Sequence, residues 1–255
     1  MIATLLTLGM IGFIAFIHEL GHFLVAKFSG IKVNVFSVGF GPKLLKKTIG
    51  DTEYCLSLIP LGGYVSLEGE QHSKGEGKSN EFQAKPAYIK IMVALAGVTC
   101  NVILAYLLFV CVAYLQGTGF LKSFVTGQRV FCETVRLTYE MFGQLFTGKI
   151  ALKDAVGGPV LIGYVLHTIQ NYSLEFILIF TALLSLVIGI FNALPIPVLD
   201  GGLVVFILLE KVFGKEKIQK IQSYLSAIFF VLFMALTLWI LAYDIIRIVT
   251  KQKIF

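Results

Sequence analysis

The sequence predicts a membrane protein with an all-α core of about four transmembrane helices. A small membrane-associated β-sheet on the cytoplasmic side and an amphipathic surface helix complete the fold. Three observations lead there. Hydrophobic residues make up 57% of the 255-residue chain and charged residues only 14%, too little charge to cover a soluble domain of this length. Four apolar stretches are each long enough to span a bilayer. The polar sequence between the first two alternates as half-buried strands do.

The elements follow in order as one domain over residues 1–255. The first span runs over 2–26. It lacks the basic n-region and small-residue cleavage site of a secretory signal, and it carries His18, Glu19 and His22 at its far end. Residues 31–86 form a β-segment and loop, in which IKVNVFSV and EYCLSLIP read as strands around the turn-rich FGPKLLKKTIGD. EGEQHSKGEGKSNEFQAKP reads as a flexible polar loop. The second span covers 88–115. An amphipathic helical region covers 132–170, with apolar residues at helical spacing in FCETVRLTYEMFGQLFTG and a half-buried stretch, AVGGPVLIGYVLHTIQNY, after it. The third span covers 174–194. Residues 195–210 break it, because prolines and glycines at membrane depth interrupt a helix and survive only where protein or a wet cavity surrounds them. The fourth span covers 224–249.

Net charge is +6. The basic residues flank the apolar spans, so lipid headgroups of the bilayer explain them and no nucleic-acid partner is needed. Thirteen Lys and Arg fall on the side of the β-segment and eight on the other. That bias puts the sheet in the cytoplasm and both termini outside. The four cysteines show no CxxC spacing, which argues against a disulfide framework or a thiolate metal site.

His18-Glu19-Leu20-Gly21-His22 is an HExxH pentad. On a helix its two histidines share a face and can hold one metal ion, while Glu19 reaches a water beside it as general base. With the span starting near Ile2, His18 lies about 24 Å along it, inside a hydrocarbon core about 30 Å thick. A catalytic zinc takes three protein ligands. Glu175 and Asp244 fall near the opposite face, and His72 and His167 fall in loops. Asp200, in the broken segment, is the candidate at matching depth.

HELGHF, AGVTCN and NALPIPVLDGG, in that order on successive spans, resemble the site-2 proteases. The branch they resemble is the bacterial regulator-of-sigma-E protease-like one, as do FGP at Phe40–Pro42, GGYV at Gly62–Val65 and GGP at Gly157–Pro159. The resemblance implies an intramembrane Zn2+ metalloendopeptidase of the bacterial inner membrane, acting in regulated intramembrane proteolysis. It implies zinc held by His18, His22 and Asp200, with Glu19 as general base and acid. It implies Asn192 at the substrate or oxyanion and Asn101 at another polar position of the core. Gly63 and Tyr64 of the β-segment would pair with an unwinding substrate strand. The implied partner is a single-pass membrane protein, anti-sigma-factor-like or signal-peptide-like. Two departures stand out. Gly97-Val98 replaces the family's Gly-Pro, and the 58 residues between spans two and three leave no room for the branch's PDZ domain. From the residues alone, a catalytically silent scaffold for transmembrane helices and a metal transporter are the competing readings. Asn101 and Asn192 could each be interhelical hydrogen-bonding residues instead.

Overall fold

The computed structural model describes residues 2–70, 78–150, 161, 164 and 173–250. In chain order these form α1 (Ile2–Phe28), β1 (Val33–Ile49), β2 (Thr52–Leu67), a 3-10 turn (Phe82–Ala84), α2 (Ala87–Leu115), α3 (Phe120–Phe146), α4 (Leu174–Asn192), α5 (Asp200–Phe213) and α6 (Lys215–Val249). Among the described residues, four helical stretches are long and apolar enough to cross a membrane: Leu5–Phe28, Ala87–Leu115, Leu174–Asn192 and Lys215–Ile246. α6 exposes Ile228, Phe230, Val231 and Leu238, apolar surface that suits lipid rather than water.

The sheet is tied to the end of α1. Gly30 adopts φ 65°, and the N–H groups of Gly30 and Ile31 donate to Lys27 O and Ala26 O. This is the paired closure by which a left-handed glycine ends a helix. Ala26 and Ile31 then join Val33, Leu67, Phe82 and Val93 in one buried cluster. That cluster holds the first residue of β1 and the last of β2 against the 3-10 turn and α2. β1 and β2 pair antiparallel with repeated register shifts. Both strands bend, so Val35–Val38 has partners on both sides: Gly63–Ser66 on one and Glu53–Leu56 on the other. Buried Ser37 and Ser57 hydroxyls meet at 3.0 Å, satisfying polar groups that burial would otherwise orphan.

The chain divides into two compact units. One comprises Met10–Leu104 with Leu184–Phe229, and the other Met1–Gly9, Ala105–Leu183 and Phe230–Phe255. The first contains the sheet, α5 and every residue of the site below. In the second, α3 packs on α2 within that unit. A Cβ at Gly127 would come within 2.6 Å of Val110 Cγ2, and Phe131 meets Tyr106 edge-on at 5.8 Å.

Three boundaries differ from expectation. The surface helix starts at Phe120, twelve residues before 132, and its added turns pack on α2 at Gly127. The break after α4 is shorter than 195–210, since helix resumes at Asp200. α6 starts at Lys215, before the apolar run at 224, and its first turns are charged. The expected stretch at 155–172 lies mostly outside the described residues, as do GGP at 157–159, His72 and His167.

Candidate metal centre

α1 is helical throughout the pentad, so the two imidazoles leave it on one face. Their Nε2 atoms lie 3.2 Å apart. Asp200 is the first residue of α5, and the glycines that follow it bring it close. An added Cβ at Gly201 would fall 2.2 Å from Ala193 O, and one at Gly202 would fall 2.0 Å from Ile196 O. Any larger residue would lift the start of α5 off the preceding turn. As built, Asp200 Oδ2 sits 3.1 Å from His18 Nε2 and 3.5 Å from His22 Nε2.

Protons decide what this triangle is for. His22 Nδ1 lies 2.7 Å from the carbonyl oxygen of Val93. A carbonyl only accepts, so Nδ1 carries the proton and Nε2 of the neutral ring presents a bare lone pair. It faces an Asp200 oxygen that is buried without a hydrogen-bond partner. Buried electron pairs this close are unfavourable unless a cation lies among them. The spacing is also right. Ligand atoms about 2.0–2.1 Å from a tetrahedral ion lie about 3.3 Å apart, and the three edges here are 3.1, 3.2 and 3.5 Å. The residues present fit a divalent ion with three protein ligands.

Glu19, one residue round the helix, lines the same cavity. It passes beside Gly63, where a Cβ would come within 2.9 Å of Glu19 Cγ, and the Val65 backbone hydrogen-bonds its carboxylate. The model of peptidase family M50 matches residues 6–236. The chain belongs to peptidase family M50. A protein of Fusobacterium nucleatum named as a zinc metalloprotease is 27% identical, with 82% of this chain and 88% of the relative covered. A protein of the same name in Clostridium perfringens is 28% identical, covering 90% and 94%. One in Campylobacter jejuni is 27% identical, covering 96% and 94%. These matches extend over 302, 318 and 345 residues against the 255 of this chain, so the relatives carry insertions that it does not.

The M50 cavity holds about 390 Å³ and is lined by His18, Glu19, His22, Gly63, Tyr64 and Asn192 among others. The expected site residues therefore come together, with one exception. Tyr64 stacks on Phe40 with ring centroids 6.5 Å apart. Asn192 Nδ2 donates to Ile188 O at 3.0 Å, leaving its second N–H available. Asn101 does not line the cavity. It is fully buried, with its amide 3.2 Å from His18 Nδ1, behind the ring.

The M50 site also contains two residues, Gly97 and Glu70, to which the sequence assigns no part in it. A Cβ at Gly97 would lie 2.4 Å from His22 Nε2 and 2.7 Å from His18 Nε2. Gly97 is four residues before Asn101, hence on the same face of α2, and that spacing was the signal available. Glu70 lines the cavity too and accepts from Leu67 N–H at 3.3 Å. Burial pushes its carboxyl above the usual carboxylate range. Away from the ligands, a buried ion pair joins Lys90 Nζ of α2 to Glu210 Oε2 of α5 at 2.6 Å, and Gln219 donates to the other oxygen of Glu210.

Proposed function

We propose that this chain is a site-2-type zinc endopeptidase that cleaves a transmembrane segment of a single-pass membrane protein inside the bilayer. The observation that carries the reading is the triangle of His18, His22 and Asp200, with Glu19 beside it, built on a helix apolar and long enough to span a membrane. Zinc held there supplies Lewis acidity that makes water and the scissile carbonyl reactive near neutral pH.

The protein's own groups do the rest. Glu19 takes a proton from the attacking water and later delivers it to the leaving amide nitrogen. The spare Asn192 N–H donates to the carbonyl oxygen as negative charge develops on it. Among the described residues, Gly63–Leu67 pairs only with Val33–Val38 in the register of the sheet, and four of its residues line the cavity. That strand edge takes up the N–H and C=O groups of a helix that must unwind before its peptide bonds can react.

The substrate class is an anti-sigma-factor-like or signal-peptide-like segment in regulated intramembrane proteolysis, at the bacterial inner membrane. The excess of Lys and Arg on the sheet side supports a cytoplasmic sheet and external termini. α3 suits the membrane surface, with Phe120, Leu121 and Val125 exposed beside Lys122, Arg129 and Arg136.

The test is reconstitution in liposomes with a single-pass substrate, followed by mass spectrometry of the products. Cleavage at a peptide bond within the apolar segment is expected. Products cut only in the flanking soluble sequence would contradict intramembrane action.

A further inference from the structure

Both metal-facing nitrogens in the triangle are Nε2 atoms. A nitrogen that ligates cannot also hold a proton, so each neutral ring must carry its proton on Nδ1 and needs an acceptor there. For His22 that acceptor is the Val93 carbonyl. For His18 the polar group at Nδ1 is the amide of Asn101, which is fully buried. Asn101 Nδ2 lies 3.2 Å from His18 Nδ1, and Asn101 Oδ1 is buried without a partner among the described residues. That orientation sets a donor against the N–H that a ligating His18 carries. A half-turn of the amide exchanges its oxygen and nitrogen while moving no other group, and it aims Oδ1 at Nδ1–H.

We infer that Asn101 is a positioning residue for the metal site: its side-chain oxygen accepts from His18 Nδ1–H and keeps Nε2 free for the ion. The α2 backbone at Asn101 is held from behind, since Ser185 Oγ of α4, itself fully buried, donates to the Asn101 main-chain carbonyl oxygen at 2.9 Å. α2 and α1 are matched along their length. Val93, Gly97 and Asn101 recur every fourth residue on one face of α2. The Val93 carbonyl orients His22, Gly97 leaves room beside both rings, and Asn101 orients His18. Because Asn101 does not line the cavity, its effect on catalysis passes through His18 and not through substrate.

The inference rests on the zinc reading of the site. The test is zinc affinity by chelator competition in detergent-solubilised full-length protein, with apo-protein thermal unfolding as the control for folding. Asn101→Leu removes the acceptor, and zinc affinity is expected to fall about 10–100-fold, the usual effect of losing a partner behind a ligand. Asn101→Asp can accept but not donate, and it is expected to hold zinc as tightly as the wild type. Affinity in Asn101→Leu equal to wild type, or an equal loss in folded Asn101→Asp, overturns the inference. If Asn101→Leu does not fold, Asn101→Asp decides alone. If neither folds, the nitrogen-labelled histidines of the zinc-loaded wild type decide: a slowly exchanging proton on His18 Nδ1 is expected, and a freely exchanging one contradicts. A wild type that binds no zinc sinks the site reading itself, which is a separate outcome.

Discussion

Gly97→Ala sets two opposite effects against each other. In a helix interior, alanine is favoured over glycine by roughly 0.5–1 kcal/mol, so the apo protein should be as stable as the wild type or more so. The metal site should fail. The new methyl carbon would lie 2.4 Å from His22 Nε2 and 2.7 Å from His18 Nε2, whereas ordinary contact needs roughly 3.5 Å. The rings can retreat, because they are the free ends of side chains, but each must move by about 1 Å. Metal–ligand distances tolerate only about 0.2 Å. The fold therefore survives while the ligand atoms are forced off the ion. Zinc affinity should drop by more than about 100-fold, beyond the range seen when only a partner behind a ligand is lost. The assay pairs zinc per chain after dialysis with thermal unfolding in chelator. One tightly held zinc in Gly97→Ala would refute the placement of α2 against the histidines.

Asp200→Ala should leave the chain unable to retain stoichiometric zinc, and retention would move the third ligand elsewhere. Lys90→Met strands Glu210 in a buried setting, where both side chains of the pair are at most 10% exposed. Removing one partner of such a pair costs about 3–5 kcal/mol, and Lys90→Met with Glu210→Met should recover most of it in a thermal unfolding comparison. Glu70 gives a pH signature. Its folded carboxyl keeps its proton to higher pH than the unfolded one does. The native state therefore binds more protons across that window, and stability falls as pH rises through it. Glu70→Gln should unfold at a higher temperature than wild type at neutral pH, with the gap closing in acid below the usual carboxylate range. A gap that is constant with pH would show that burial does not shift the Glu70 carboxyl upward.

The legible parts of the site were those encoded locally. His18, Glu19 and His22 share a face because they lie within one helical turn, and spacing alone says so. Asp200 was readable because prolines and glycines at membrane depth mark an irregular backbone, and few other acids lie at that depth. The four apolar helices follow from run length. What stayed hidden depends on contacts between elements far apart in sequence. Gly97 reads as part of a Gly-Val departure in the second span, and its place beside both imidazoles appears only once α1 lies against it. The sequence offers Asn101 only as a polar position of the family core or as an interhelical hydrogen-bonding residue. Its partner, His18 Nδ1, appears only once α2 packs behind the ring. Glu70 was absorbed into a polar loop, since nothing in EGEQHSK shows which carboxylate turns inward. The first half of α3 lies outside the expected 132–170 region, and its packing through Gly127 against Val110 appears only in the fold.

The sharpest single measurement is Glu19→Gln in the reconstituted protein, with zinc content and substrate turnover read from the same preparation. In the proposed mechanism Glu19 carries the proton and is not a ligand, so one zinc per chain is expected to remain. Turnover should fall by roughly 10²–10⁴-fold, the contribution of a positioned general acid–base. Undiminished cleavage with zinc in place would remove Glu19 from the chemistry and, with it, the hydrolytic mechanism built on this pentad.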